Sequence, residues 1–459
     1  MMKHNLKQFL PFFLLLGLTF YLSGQADAEI LVRDIPHAPD WDGMAPKLIS
    51  VDQTGPDIAD RPFIEAAPNG NKLIIVYNRS NTSGNDKDPY FSRSTNGGQT
   101  WSSPAPIYVS LGSAHNSLEV NLAVDNSGTG HAVWREVIST NPSFPIFRIM
   151  YAKESNWGGT NPTIVDEAGI SASSPKIIAS GNNTLDMVWT SFDFADGANV
   201  FHKRSTDGGN NWSTKDPISP TDVESLFTDV TIDDNGNLHV VWEQDYIIGA
   251  DTGAYIYYAR GAVSGSSVNW STPARIGDVS DDPDGNGPIG EHDRSARRPI
   301  ILAEGNRLYV AFTTHWQDSS QWVHYVTCSS GCQNSQNWSD DISISGAAVG
   351  VNANSPKYMV SDIFSIRGCV YVYFHGIDDT LENNELILGV NNCDNWSSLG
   401  RDMVTLPQKQ SLHTSSVLTE EFVHMVYEQT GNEGTTRQIY YRRGTPPPFS
   451  LYLPFTARN

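Results

Sequence analysis

Arginines, carboxylates and aromatic residues recur in this 459-residue chain at the points where short apolar segments begin and end. They are Asp60-Arg61, Asn78-Arg79, Arg135-Glu136, Ser191 to Asp193, Glu243 to Asp245, Arg297-Arg298, His315-Trp316, His375, His413 and Glu428-Gln429. Guanidinium groups grip carboxylates through paired N–H bonds, carboxylates accept from hydroxyls or move protons, and aromatic faces stack on sugar rings. Brought to one place, such side chains make a site for a polar, sugar-like ligand. The opposing reading is a ring of solvated loop ends, since long loops are polar in any case. Trp316, Trp322 and Tyr246 are candidates for stacking, and two carboxylates among Glu136, Asp193, Glu243 and Glu428 would suit a glycosidase whose stereochemistry their separation sets.

A second cluster has the chemistry of a hard cation. Asp282, Asp284, Asn286 and Asp293 put oxygen ligands at the first, third, fifth and twelfth places of a loop with Gly287 at the sixth. Calcium is the expected ion, and an ordinary acidic turn is the alternative, because Asp stands where a closing Glu is usual and no helices flank the loop. No other cofactor is expected. The sequence has no nucleotide loop, no Gly-x-Ser-x-Gly elbow and no His-Glu-x-x-His motif.

The elements that position these residues come from a unit of roughly fifty residues that occurs seven times. Each copy reads as an apolar strand, a Gly/Asn turn, a strand ending in an aromatic, a long loop, a third strand and a Ser/Asp/Gly/Trp turn. The aromatics are Tyr77, Trp134, Trp189, Trp242, Phe312, Phe374 and Tyr427. The best turns are Ser94-Thr-Asn96-Gly97-Gly98-Gln-Thr100-Trp101 and Ser205-Thr-Asp207-Gly208-Gly209-Asn-Asn-Trp212. Short strands in a repeat of this size predict an all-β chain, a β-propeller of four-stranded antiparallel blades. The seventh copy stops before its outer strand, and Trp41 to Ile49 resembles the missing piece. Seven blades are therefore expected, the last closed by the N-terminal strand; the rival count of six requires the second copy to be an insertion.

The Ser-x-Asp-x-Gly-x-Thr-Trp turn is the Asp-box, or bacterial neuraminidase repeat, and over residues 41 to 444 the chain resembles the sialidase-like superfamily of propellers. That resemblance implies a ligand site on the face opposite the boxes, an arginine clamp for a sugar carboxylate, an Asp acid/base and a Tyr nucleophile assisted by Glu. Asp60-Arg61-Pro62 stands where the family's first clamp arginine opens a blade, Arg79 follows the next strand, and Arg297 opens the fifth repeat. Asp86 or Asp88 precedes the first box as the family's acid/base does. Glu243 is the candidate Glu. The Tyr is not placed, because Tyr440 and Tyr441 read as strand residues, and seven blades depart from the six of the enzymes.

Composition narrows the partners. A net charge of -21 excludes a nucleic-acid partner, which needs a basic face. Residues 1–28 have the charged start, apolar core and Ala26-Asp-Ala28 end of a secretory signal peptide, which places the mature chain outside the cell or at its surface and not across a membrane. Residues 29–444 form the propeller, and 445–459 a Pro-rich spacer with a short apolar tail. Cys369 opens a strand and Cys393 closes the next, while Cys328 and Cys332 lie four apart, so two local disulfides are expected, Cys328 to Cys332 and Cys369 to Cys393. The expectation is a secreted monomer that binds a carbohydrate or glycoconjugate on its axial loop face, as a glycoside hydrolase in one version. An active exo-sialidase and a non-catalytic surface-interaction propeller are the alternatives.

Overall fold

In a computed structural model of the chain, the described residues are 41, 45–50, 58–80, 87–109, 116–137, 146–166, 171–193, 197–220, 223–248, 251–277, 294–316, 321–345, 357–366, 368–377, 384–390, 411–430 and 437–446. The expected signal peptide and nearly all of the expected tail lie outside them. The first strands of consecutive repeats touch in a closed ring. It runs from Ala59–Ala66 through Ser117–Val124, Ser171–Ser180, Ser225–Ile232, Arg294–Glu304, Lys357–Ile366 and Ser411–Leu418 and back to Ala59–Ala66.

Hydrogen bonding groups the strands into six sheets, which corrects the expectation of seven four-stranded blades. The fifth and sixth repeats share one seven-stranded sheet. The outer strand of the fifth is only Ile342–Ser343, which covers His324 and Tyr325 and leaves the start of the strand Gln321–Cys328 open. There Gln321 pairs in parallel with Lys357. The propeller is six-bladed, with one blade of double width. The second repeat is no insertion, because it forms a four-stranded sheet of its own.

The second strand of each unit is apolar on both faces because it is sandwiched between neighbouring sheets. Leu73–Ser80 (LIIVYNRS) is buried at all positions but Arg79, the continuous apolar run expected of a strand covered on both sides. Its closing aromatic packs against the preceding repeat. Trp134 sits on Ile74, Val76 and Phe91, Trp189 on Val133 and Tyr151, and Phe312 on Val241 and Tyr258. Ring closure uses the same contact: Tyr77 packs on Val426, Ile439 and Tyr441, while Lys47–Leu48 pairs with Tyr441 and Tyr440 as the outer strand of the last unit.

The Asp-boxes are side-chain-built turns. Ser94 Oγ accepts from the Gly98 amide at 2.9 Å and Asn96 Oδ1 from the Thr100 amide at 2.9 Å; Ser205 and Asp207 repeat this with Gly209 and Asn211 at 2.9 and 2.8 Å. The box tryptophan then meets the preceding repeat edge-on, Trp101 on Tyr441 and Trp212 on Tyr151. The boxes share a face with the Gly/Asn turns, as the amides of Gly97 and Gly208 donate to Asn71 and Asn183. Cys328 and Cys332 form a disulfide. Cys369 is disulfide-bonded as well, and Cys393, expected as its partner, lies outside the described residues. No helix among the described residues is long and apolar enough to cross a membrane.

Candidate functional site

Apart from Lys357–Ile366, which joins the preceding sheet at Lys357, a first strand is the inner edge of its sheet, and its outward amides need partners that no further strand supplies. Side chains of the neighbouring repeats supply them. Asn121 accepts from the Ile177 amide at 3.1 Å, Asp229 from Ile301 at 2.9 Å and Ser415 from Ile64 at 3.2 Å.

Each first strand also slips register, for instance between Asp60 and Phe63, Leu118 and Asn121, and Arg297 and Ile300. Such β-bulges leave a residue unpaired and re-aim its side chain. Six bulge residues are left-handed: Arg61 (φ 50°), Glu119 (56°), Ser174 (50°), Phe227 (49°), Arg298 (53°) and His413 (40°). They are all the non-glycine residues with positive φ among the described residues, and all six line one axial cavity of about 810 Å³. Such a conformation costs on the order of 1–3 kcal/mol per residue and persists where the surroundings impose it, most often at functional sites.

Carboxylates hold three of the six in place, Glu243 and Glu428 fully buried and Glu119 partly so. Glu428 accepts from the Arg61 amide at 3.2 Å, Glu119 from Ser174 at 2.8 Å and Glu243 from Arg298 at 2.8 Å. The same groups hold basic side chains. Glu119 binds Arg61 at 3.0 Å and Arg135 at 3.2 Å, Glu243 binds Arg297 at 2.9 Å, and Glu428 binds Arg437 and His413, each at 3.1 Å. Arg298 lies over the Phe227 ring and Arg135 over Phe147. A chain of net charge -21 thus lines its axial cavity with Arg61, Arg135 and Arg298, the first two paired to Glu119.

Burial pushes the Glu243 carboxyl up, against the pull of the Arg298 amide and Arg297. Burial would raise Glu428 too, but bonds from His413, Arg437 and the Arg61 amide hold it below the usual range. His375, 5% exposed on the cavity wall with neither ring nitrogen hydrogen-bonded among the described residues, is pushed down to about 3 by burial and then by His413 and Arg298. Further along the cavity, burial raises Glu65 to about 8 and Asp362 to about 7, so both carry protons at mildly acidic pH.

Of the residues picked from sequence, Arg61 and Arg135 line the cavity. Arg297 and Glu243 form the ion pair beneath the Arg298 bulge, and His315, drawn down by burial and by Arg297 and Arg298, lies beside them. Arg79 stands over Tyr90 in the first sheet, away from the cavity-lining residues. Asp86, the side chain of Trp316 and the calcium candidates Asp282, Asp284, Asn286 and Asp293 lie outside the described residues. Among the described residues no group of three or more His, Cys, Asp or Glu could hold a metal. Sequence reading passed over Glu119, Ser174, Lys176 and Phe227. A signal for the bulges was present in Arg61-Pro62, Ser174-Pro175 and Arg298-Pro299, since a proline following an irregular strand position removes an amide the ladder cannot use.

No protein-family model matches the chain, and no curated protein matches it in sequence. Solved structures do match in fold. A Dyadobacter fermentans protein of unknown function is similar over 90% of this chain and 100% of its own, at 11% identity and a TM-score of 0.53. The NanB sialidase of Streptococcus pneumoniae is similar over 87% of this chain and 70% of its own, at 12% identity and TM-score 0.43. The GH93 α-L-arabinofuranosidase of Fusarium graminearum is similar over 88% and 98%, at 12% identity and TM-score 0.42. The likeness is one of fold, and the fold is a β-propeller.

Proposed function

We propose that this chain is a secreted sialidase-like propeller that binds an acidic carbohydrate at the mouth of its axial cavity. The observation that carries the reading is the ring of strained bulge residues, in which Arg61 and Arg135 both pair with the carboxylate of Glu119 and Arg298 lines the same cavity. Guanidinium groups held this way favour a ligand carboxylate that can take the place of Glu119 in the pairing. Glycoside hydrolysis is the second version, favoured by the sialidase-like fold. Against the exo-sialidase form, none of the described cavity-lining residues is a tyrosine that would serve as its nucleophile. The acidic loop around Asp282 to Asp293 keeps its calcium reading, and a fall in Tm on chelation is the result that supports it.

The test is a glycan array carrying neutral and acidic sugars, beside a fluorogenic sialoside, with wild type and Arg61→Ala. Acidic glycans are expected to bind, and Arg61→Ala to weaken them about 10- to 100-fold, the worth of a charge-assisted pair. Retention of neutral glycans only, or indifference to Arg61→Ala, overturns the reading. Sialoside turnover lost in Arg61→Ala would make the protein a hydrolase.

A further inference from the structure

The acidic-glycan reading leaves three groups at the mouth without a task. His413 Nδ1 lies 3.1 Å from Glu428 Oε2. Glu428 is fully buried and also receives Arg437 and the Arg61 amide, so it is an ionised acceptor, and His413 Nδ1 must carry the hydrogen. In the neutral ring His413 Nε2 holds a lone pair, on a residue that lines the cavity from a strained bulge. His375, its ring 5.9 Å from that of His413, brings two unpartnered nitrogens to the same wall. Buried polar atoms without partners are exceptions that ask for a ligand.

A base beside cations that bind a carboxylate is the equipment for taking a proton from the carbon next to that carboxylate. Hydrolysis by two carboxylates is less well served. Glu119 is taken by Arg61, Arg135 and the Ser174 amide, Glu243 by Arg297 and the Arg298 amide, and Glu428 by His413 and Arg437.

We propose that the mouth cleaves a 4-linked uronic-acid glycan by β-elimination, with His413 as the base and Glu428 as its positioning residue. This inference rests on the acidic-glycan reading. Arg61 and Arg298 hold the sugar carboxylate and stabilise the charge that spreads onto it. His413 Nε2 takes the proton from C5, and the electron pair left behind forms the C4–C5 double bond. The bond from C4 to the bridging oxygen breaks. That oxygen leaves with the pair and receives the proton from the imidazolium of His413, which returns to its starting form. No water is consumed and nothing is oxidised or reduced overall. His375 hydrogen-bonds the substrate and so fills its open valences.

The experiment incubates the purified protein with polygalacturonate, alginate and a glucuronate-containing glycosaminoglycan. It follows the ultraviolet absorbance of the conjugated unsaturated product, with binding of each polymer measured calorimetrically. Expected are a rise in absorbance with at least one polymer and, in His413→Gln, a rate lowered about 100-fold or more with affinity little changed. Binding of a polymer by wild type with no absorbance overturns the elimination and leaves the acidic-glycan reading standing. A rate preserved in His413→Gln overturns the role of His413. Failure of the folded wild type to bind any acidic glycan removes the parent reading, and the inference with it. If His413→Gln does not fold, His413→Asn takes its place, and the wild-type arm can overturn the proposal by itself.

Discussion

At the scale of single residues, the chain concentrates its unusual backbone at two kinds of position. One is the bulge ring of Arg61, Glu119, Ser174, Phe227, Arg298 and His413, where side chains accept a left-handed conformation to line the axial cavity. The other is the second glycine of each Asp-box, Gly98 and Gly209, where no side chain would fit. A Cβ on Gly209, at φ 85°, would fall 1.8 Å from the Tyr151 hydroxyl. Gly209→Ala therefore combines a backbone penalty with overpacking, and we expect it to cost about 2–4 kcal/mol in denaturant unfolding. An effect below about 0.5 kcal/mol would show that the two repeats do not meet as described. The box glycines and Arg61 were legible because type and spacing mark them. Glu119 was not, because a lone glutamate inside an apolar strand reveals its worth only when its neighbours across the ring are known. Arg79 shows the converse: its place after a strand looked equivalent to that of Arg61, but it lies on the second strand of its sheet, one strand removed from the axis.

At the scale of elements, the hairpin joining first and second strands carries a buried polar relay. In the second repeat Asp125 caps its own turn by accepting from the amides of Ser127 and Thr129, and it meets His131 Nε2 at 3.2 Å, while His131 Nδ1 meets Tyr151 Oη at 2.8 Å. The fourth repeat copies it with Asp233, His239 and Tyr258. Burial drives the His131 and His239 pKa values down, so both rings are neutral relays inside the sheet and not site histidines. Tyr151→Phe would strand His131 Nδ1 without its partner. A loss of about 1–2 kcal/mol is expected, read as a shift in denaturation midpoint at unchanged slope; no shift would mean that the ring finds another partner. The relay could be read in part from the sequence as an Asp six places before a His, but its third member comes from the next strand.

At the scale of the whole molecule, stability depends on closing the ring. Trp41 is 3% exposed and packs with Tyr371, Tyr373, Met425 and Tyr427, bridging the sixth and seventh repeats, and its carbonyl accepts from Arg442 at 2.8 Å. Trp41→Ala is expected to cost about 3–5 kcal/mol, and thermal unfolding checks it; a cost typical of a surface change would show that the N-terminal segment adds little to closure. The axial cavity has its own pH signature. Glu65 has a folded pKa raised to about 8 from an ordinary 4.5. The folded state therefore holds the proton more tightly than the unfolded chain, and stability falls as pH rises from the unfolded value through the folded one. Glu65→Gln removes this cost. Its stability relative to wild type, read in denaturant unfolding, should climb between about pH 4.5 and 8 and then level off, by up to about 5 kcal/mol. A gap that stays constant with pH would mean that Glu65 is ionised throughout.

What the sequence determined by itself was everything written in local periodicity. The seven copies, the closing aromatics, the glycine turns, the disulfide between Cys328 and Cys332 and the N-terminal strand completing the last unit all depend on neighbours a few residues away or on a missing repeat part. Tertiary structure decided the rest. Whether two adjacent repeats stay separate or share a sheet hangs on one long-range pair, Gln321 with Lys357, across residues whose spacing carries no mark of it. The site was decided in the same way. Arg61, Glu119, Arg298, His413 and Glu428 belong to four different repeats and become a single site only because the ring brings its bulges to a common axis, where edge amides without a further strand must be met by side chains from the unit next door.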